Sequence, residues 1–157
     1  MPIPAPTWPL RGTYHTISSA SVESIWQKIS DLADVSWHPL IARTNLPYGL
    51  VAKPGLIYRA VSRLMPWPMR IFVELVRPGE LLSIRILALP GVEERVIYRI
   101  ESSVCGTTCI SYSVMLRGWL APLVWSLIQR YAAQVADQLA RAVETGAKPA
   151  KNTCLDF

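Results

Sequence analysis

Between residues 58 and 116, apolar and polar side chains alternate with a period of two. Such alternation is typical of β-strands that have one face in a core and the other in water. Prolines and glycines interrupt the pattern and divide it into five predicted strands, at residues 58–63, 69–77, 80–89, 93–103 and 107–116. The connections are too short for parallel crossovers, so neighbouring strands are expected to be antiparallel.

The same alternation predicts which side chains face inward. The apolar face comprises Met69, Ile71, Val73, Leu75, Leu82, Ile84, Ile86, Val96, Tyr98, Ile100, Ile110, Tyr112 and Val114. Arginine and glutamate dominate the opposite face, for example Arg70, Glu74 and Arg85, and we expect that face to be solvated. Glu93 and Glu94, adjacent at the start of a strand, are also expected to lie in water.

Helical periodicity flanks this region on both sides. Residues 10–18 form a predicted first strand, and Ser21 is then a predicted N-cap for a short amphipathic helix. One further short helical turn is expected over residues 34–38. After the last strand, apolar residues recur at helical spacing over about residues 118–145, which predicts one long amphipathic helix.

This order of elements predicts a single α+β domain over residues 10–146. A proline-rich arm at residues 1–9 precedes it, and a flexible tail at residues 147–157 follows it. The expected architecture is a curved antiparallel sheet of six or seven strands around the long C-terminal helix, with two short helices after the first strand. Because twisted sheets curl, a sheet covered by a single helix leaves a space, where we expect an apolar pocket.

The amino-acid composition indicates which binding partners and which cellular compartment to expect. The chain has 157 residues, of which 51% are hydrophobic, and a net charge of +5. Its arginines are scattered rather than clustered, which argues against nucleic-acid binding. Three cysteines and two histidines without paired spacing indicate neither a disulfide framework nor a metal site. The start lacks a charged flank followed by an apolar run, so a cytoplasmic protein is expected.

Several short segments resemble a known superfamily. They are the run Ala20–Trp26, the segment Ser36–Pro39, the pair Pro54-Gly55 before a strand, and the closing long helix. Over about residues 10–145 the chain resembles the START/Bet v 1-like (SRPBCC) superfamily, and it is most similar to bacterial polyketide cyclase/dehydrase and lipid-transport domains. The resemblance implies a helix-grip fold. It also implies functions that range from lipid, sterol and quinone carriers to aromatase/cyclases and hormone receptors.

The resemblance places the segment after the first helices at the mouth of the cavity. Trp37 would then stack on a ligand and His38 would donate a hydrogen bond or a proton. The alternative is that Trp37 fills the core and His38 caps a turn. The other predicted ligand-binding residues lie on the concave face or on the long helix, and they are Tyr58, Ile71, Val73, Ile84, Tyr98, Tyr112, Val124 and Tyr131.

The loop at residues 64–69 is unusual because all six of its residues are apolar. Met65 and Trp67 are therefore predicted either to form a lid over the pocket or to make transient contact with a membrane surface. Arg63 and Arg70 flank the loop and would suit anionic head groups. The alternative is a loop folded back onto the first helix.

Two main functions follow from these features. The first is binding or transport, without catalysis, of a small hydrophobic molecule such as a lipid, a quinone or another isoprenoid, or a polyketide-like compound. The second is an aromatase/cyclase or dehydratase acting on a polyketide-like substrate, with His38 and the tyrosines as the visible acid/base candidates. A filled, partner-binding domain is a third possibility. The binder is favoured, because no catalytic motif is present and the strand arginines project outward. No cofactor is expected.

Overall fold

The computed structural model describes residue 8 and residues 10–65, 67–103 and 105–146. In this part of the chain the elements are β1 (Leu10–Ser18), α1 (Val22–Ser30), β2 (Ile41–Thr44), β3 (Ile57–Ser62), β4 (Pro68–Arg77), β5 (Leu81–Leu87), β6 (Glu93–Ser102), β7 (Thr108–Arg117) and α2 (Ala121–Gly146). The strands form one antiparallel sheet in the order β1-β7-β6-β5-β4-β3-β2. The curled sheet and long C-terminal helix confirm the predicted α+β helix-grip fold.

The first helix begins as the sequence predicts. The Ser24 amide donates a hydrogen bond to the Ser21 hydroxyl oxygen at 3.1 Å, so Ser21 is the N-cap. The second short helix is absent, because residues 31–40 form turns. Asp34 explains the difference, since its carboxylate accepts hydrogen bonds from the Ser36 amide and hydroxyl. A local side-chain acceptor of this kind competes with helical hydrogen bonding.

A β-bulge in β4 changes the predicted face of one residue. The pairing of β4 with β5 shifts between Val73, which lies opposite Ile84, and Leu75, which lies opposite Ser83. An extra residue in one strand turns every later side chain to the other face. The prediction that Leu75 faces the core is therefore wrong, and Leu75 is 41% exposed.

The outer face of the sheet carries a network of ion pairs. Glu74 contacts Arg85 at 2.5 Å and Arg95 at 3.2 Å, while Glu93 contacts Arg85 at 3.0 Å and Arg117 at 2.5 Å. The expected charged face is confirmed at these positions. In this network two carboxylates bind three guanidinium groups across four strands.

The start of α2 is held by the hairpin between β5 and β6. The Leu120 amide donates a hydrogen bond to the Gly91 carbonyl oxygen at 3.1 Å. A side chain at Gly118, whose φ is +113°, would lie 2.2 Å from that same oxygen, so this close approach needs glycine. The hairpin thereby sets where α2 begins to cross the concave face.

No helix in the described residues is long and apolar enough to cross a bilayer. Apart from residue 8, the proposed arm at residues 1–9 lies outside the described residues, and so does the tail at residues 147–157.

Candidate functional site: an apolar cavity under the long helix

A cavity of about 390 Å³ lies between the concave face of the sheet and the first half of α2. Its walls are mainly aliphatic, because inward positions of β5 and β6 and the buried stripe of α2 meet there. The sheet contributes Ile84, Ile86 and Val96, and the helix contributes Val124 and Ile128. The volume falls in the range of small-molecule sites, which is about 300–1,000 Å³.

The cavity brings together seven of the residues selected from the sequence. They are His38, Met65, Ile84, Tyr98, Tyr112, Val124 and Tyr131. The other five do not belong to its lining: Trp37, Tyr58, Ile71 and Val73 pack in the adjacent core, and Trp67 is 41% exposed in the loop outside. The ligand-binding role of ten of these residues, and the lid or membrane role of Met65 and Trp67, remain predictions.

His38 is buried in the cavity wall and held there as a neutral side chain. Its Nδ1 accepts hydrogen bonds from the backbone amides of Leu40 at 3.0 Å and Ile41 at 3.3 Å. Nδ1 therefore carries no proton, and the neutral ring has its proton on Nε2. Burial, with a smaller contribution from the nearby Arg63 cation, lowers the pKa of His38 to about 3.

The tautomer of His38 fixes the direction of its contact with Tyr98. Nε2 lies 3.2 Å from the Tyr98 hydroxyl oxygen, so the imidazole N–H donates and the phenol oxygen accepts. The Tyr98 ring also lies against Trp37, with centroids 6.5 Å apart in an edge-on arrangement, and against Tyr112 at 5.2 Å. Trp37 is held in turn by its Nε1–H, which donates to the Asp34 carbonyl oxygen at 3.1 Å.

Burial raises the pKa of Tyr58, Tyr98 and Tyr112 above the ordinary value for a phenol. All three hydroxyls therefore keep their protons at physiological pH. Tyr98 and Tyr112 line the cavity and present neutral groups that can donate hydrogen bonds.

Glu94 is the acidic residue of this site, and the sequence prediction missed it, as it missed Ser62, Ser126 and Arg130. The expectation that it lies in water is wrong, because its side chain lines the cavity. Burial in these apolar surroundings raises the pKa of Glu94 to about 7. The alternation of side chains along the strand could have predicted this position, because Glu94 lies on the same inward face of β6 as Val96 and Tyr98.

The mouth of the cavity has an apolar rim, formed by Leu64 and Met65 of the β3–β4 loop and by Leu123 and Leu127 of α2. Leu127 is 51% exposed and Leu123 is 59% exposed, although both belong to the apolar stripe of the helix. Arg130 lies one turn further along α2 and also lines the opening. The exposed stripe is the part of α2 that no strand covers.

The described residues contain no group of three His, Cys, Asp or Glu side chains placed to hold a metal ion. The polar groups of the lining are the imidazole of His38, the carboxyl of Glu94, three phenols, the hydroxyls of Ser62 and Ser126, and the guanidinium of Arg130.

Comparison with solved structures supports the fold. An aromatase/cyclase from a Streptomyces species superposes with a TM-score of 0.67 at 12% identity, covering 86% of this chain and 93% of that chain. A START superfamily protein from Mycobacterium smegmatis gives a TM-score of 0.66 at 16% identity, covering 87% and 99%. At such identities the likeness concerns the fold alone. A search of curated proteins found no significant match.

A model of the family described as polyketide cyclase/dehydrase and lipid transport matches residues 11–144. This match spans every strand and nearly all of α2. At the family level it supports either hydrophobic-ligand binding or polyketide cyclisation. The chain therefore belongs to the polyketide cyclase/dehydrase and lipid transport family, and it has the fold of START/Bet v 1-like proteins.

Proposed function

We propose that this protein binds and carries a small, uncharged hydrophobic molecule in the cavity under α2. The observation that carries the proposal is the cavity itself, an aliphatic space of about 390 Å³ with a mouth between α2 and the β3–β4 loop. Most of its wall is apolar, so the main driving force for binding would be burial of apolar ligand surface. The few polar groups would orient the ligand.

A pair of matched substitutions tests this function. Val96 and Val114 lie directly opposite each other on β6 and β7, and both side chains are buried. Val96 belongs to the cavity lining and Val114 does not. Val96→Phe should fill empty space and abolish ligand binding with little loss of stability. Val114→Phe should overpack the core, costing about 1–3 kcal/mol, while the folded fraction still binds.

The measurement combines native mass spectrometry of the gently purified protein with thermal unfolding in the presence of added ligands. A fatty alcohol, a short-tailed quinone and a planar aromatic ketone cover the proposed classes. We expect one ligand per chain and a stabilisation of about 2.7 kcal/mol at a hundred times the dissociation constant. The proposal fails if none of these compounds binds the wild-type protein, or if Val96→Phe binds them as well as wild type does.

The second candidate function is acid/base catalysis on a polyketide-like ketone, and Glu94 is the observation that favours it. With a pKa of about 7, this carboxyl is partly ionised at neutral pH and can both accept and return a proton. As a base, Glu94 would take a proton from the carbon beside a ketone. The C–H electron pair would form the C=C bond of an enolate whose negative charge rests on the oxygen.

Hydrogen exchange detects this step without a cofactor. In D2O at about pH 8, the methyl hydrogens of 2-acetylnaphthalene should exchange for deuterium faster with the wild-type protein than without it. Glu94→Gln should abolish the acceleration, whereas Glu101→Gln, which removes an exposed carboxylate from the same strand, should retain it. Absence of acceleration by the wild-type protein leaves the carrier as the function.

A further inference from the structure

The hydroxyl proton of Tyr98 has no acceptor among the described residues. The phenol oxygen already accepts the Nε2–H of His38 at 3.2 Å, and the backbone amides on Nδ1 make the reverse direction impossible. Tyr98 is only 5% exposed and lines the cavity. A buried donor left unpaired is unfavourable, so this hydroxyl favours any ligand that supplies an acceptor.

We propose that the inner end of the cavity is a binding site for a carbonyl oxygen, which accepts a hydrogen bond from the Tyr98 hydroxyl. The inference rests on the proposed ligand-binding function and specifies the chemical class of the ligand, an apolar ketone or quinone. Because the oxygen of Tyr98 accepts from His38, its own O–H is polarised and becomes a better donor.

The surroundings of Tyr98 fix the position of this donor. Trp37 and Tyr112 hold its ring on two sides, and His38 holds its oxygen. A donor whose orientation is set before the ligand arrives loses little conformational entropy on binding. Tyr112 differs from Tyr98 in this respect, because the Tyr112 hydroxyl makes no hydrogen bond to the described residues that would fix its orientation.

The charges around the cavity favour an uncharged acceptor over a carboxylate. Among the described lining residues, Arg130 is the one cationic side chain, and it lies on the exposed side of α2 at the mouth. Arg63, the cation near His38, donates its Nε–H to the His38 carbonyl oxygen at 2.9 Å and is not part of the lining. A carboxylate beside Tyr98 would lose its hydration without gaining a cation. It would also share the cavity with Glu94.

Two ligands that differ by one oxygen test the site. 2-Acetylnaphthalene carries a ketone, and 2-ethylnaphthalene has nearly the same shape without it. The ratio of their affinities removes the contribution of apolar burial, which both share. We expect Tyr98→Phe to lower the ketone-to-hydrocarbon ratio about three- to tenfold, as loss of one hydrogen bond predicts, and to leave 2-ethylnaphthalene binding nearly unchanged.

Infrared spectroscopy supplies a readout that a purely structural role would not change. The carbonyl stretch of bound 2-acetylnaphthalene should shift to lower wavenumber with the wild-type protein and should return toward its apolar-solvent value with Tyr98→Phe. Tyr112→Phe removes the other phenol beside Tyr98 and tests whether that hydroxyl is the donor instead. Tyr14→Phe is the control and should retain both the shift and the affinity ratio, because Tyr14 is partly buried but lies outside the cavity lining. Thermal unfolding verifies that the variants are folded.

The outcomes separate this inference from the proposed function. If both naphthalenes bind the wild-type protein and Tyr98→Phe leaves their ratio unchanged, the carbonyl site is wrong while the carrier function stands. If the ratio falls with Tyr112→Phe instead, the donor is assigned to the wrong tyrosine. If neither compound binds the wild-type protein, the site and the apolar cavity as a binding site both fail.

Discussion

At the scale of single residues, Glu94 and His38 give the stability of the protein opposite dependences on pH. Burial raises the pKa of Glu94 from 4.5 to about 7, so between these values the folded chain binds more protons than the unfolded chain. The free energy of unfolding should therefore fall as pH rises through this window, by up to about 1.4 kcal/mol per pH unit. Above pH 7 this loss is complete.

His38 has the opposite effect on the pH dependence of stability. Its pKa is lowered from 6.5 to about 3, so within that window the unfolded chain binds more protons. The free energy of unfolding should fall as pH drops below about 6.5. Because the two windows overlap between about pH 4.5 and 6.5, the wild-type curve alone does not separate the two groups, and a variant is needed.

The variant Glu94→Gln separates the contribution of the Glu94 carboxyl to the pH dependence of stability from that of His38. The stability of this variant minus that of wild type should be clearly greater at about pH 8 than at about pH 5, since the substitution removes the cost of ionising a half-buried acid in apolar surroundings. Urea unfolding across that range measures the difference. Glu101→Gln, which removes an exposed carboxylate from the same strand, is the matched control. A constant difference for Glu94→Gln would mean that the cavity does not shield the Glu94 carboxyl from water.

At the scale of elements, the β3–β4 loop and α2 together shape the entrance. Met65 lines the cavity, whereas Trp67, two residues later, is 41% exposed. The exposed Arg63 and Arg70 flank the loop. This placement at the mouth supports the proposal that the loop is a lid or touches a membrane surface, because either role requires apolar side chains beside the opening.

Vesicle binding distinguishes the two roles of the loop. If Trp67 enters a membrane surface, the protein's fluorescence should shift to the blue with anionic vesicles, and high salt should weaken the binding by screening the arginines. The chain has six tryptophans, so the shift should be lost in Trp67→Phe and kept in Trp119→Phe, which removes another exposed indole. A shift that follows cavity ligands but no vesicles would identify a lid instead.

At the scale of the whole molecule, the cavity follows from covering a seven-stranded sheet with one long helix. The second half of α2 packs tightly through Val135, Leu139 and Val143, which are all buried. In the first half, Leu123 and Leu127 remain exposed beside the cavity. The second half of the helix thus closes its part of the sheet and the first half leaves an opening, while the β5–β6 hairpin at Gly91 holds the start of the helix.

Local pattern by itself determined most of the fold. Strand periodicity predicted five strands and the faces of most of their residues, and the N-cap at Ser21 and the long helix followed from residue types close together in the chain. These predictions hold because side-chain period and capping depend on neighbours within a few residues. The same parity placed Tyr98 and Tyr112 on the concave face.

Tertiary structure decided the rest, because burial depends on what a distant element covers. Leu75 turned outward through a bulge that appears only in the pairing of β4 with β5. His38 and Tyr98 are sixty residues apart in the chain and form one hydrogen-bonded unit only when β6 passes beneath the α1–β2 connection. Glu94 has the sequence context of a solvated strand end. It became a cavity acid because the first half of α2 covers part of that face, which leaves its carboxyl half-buried among apolar side chains.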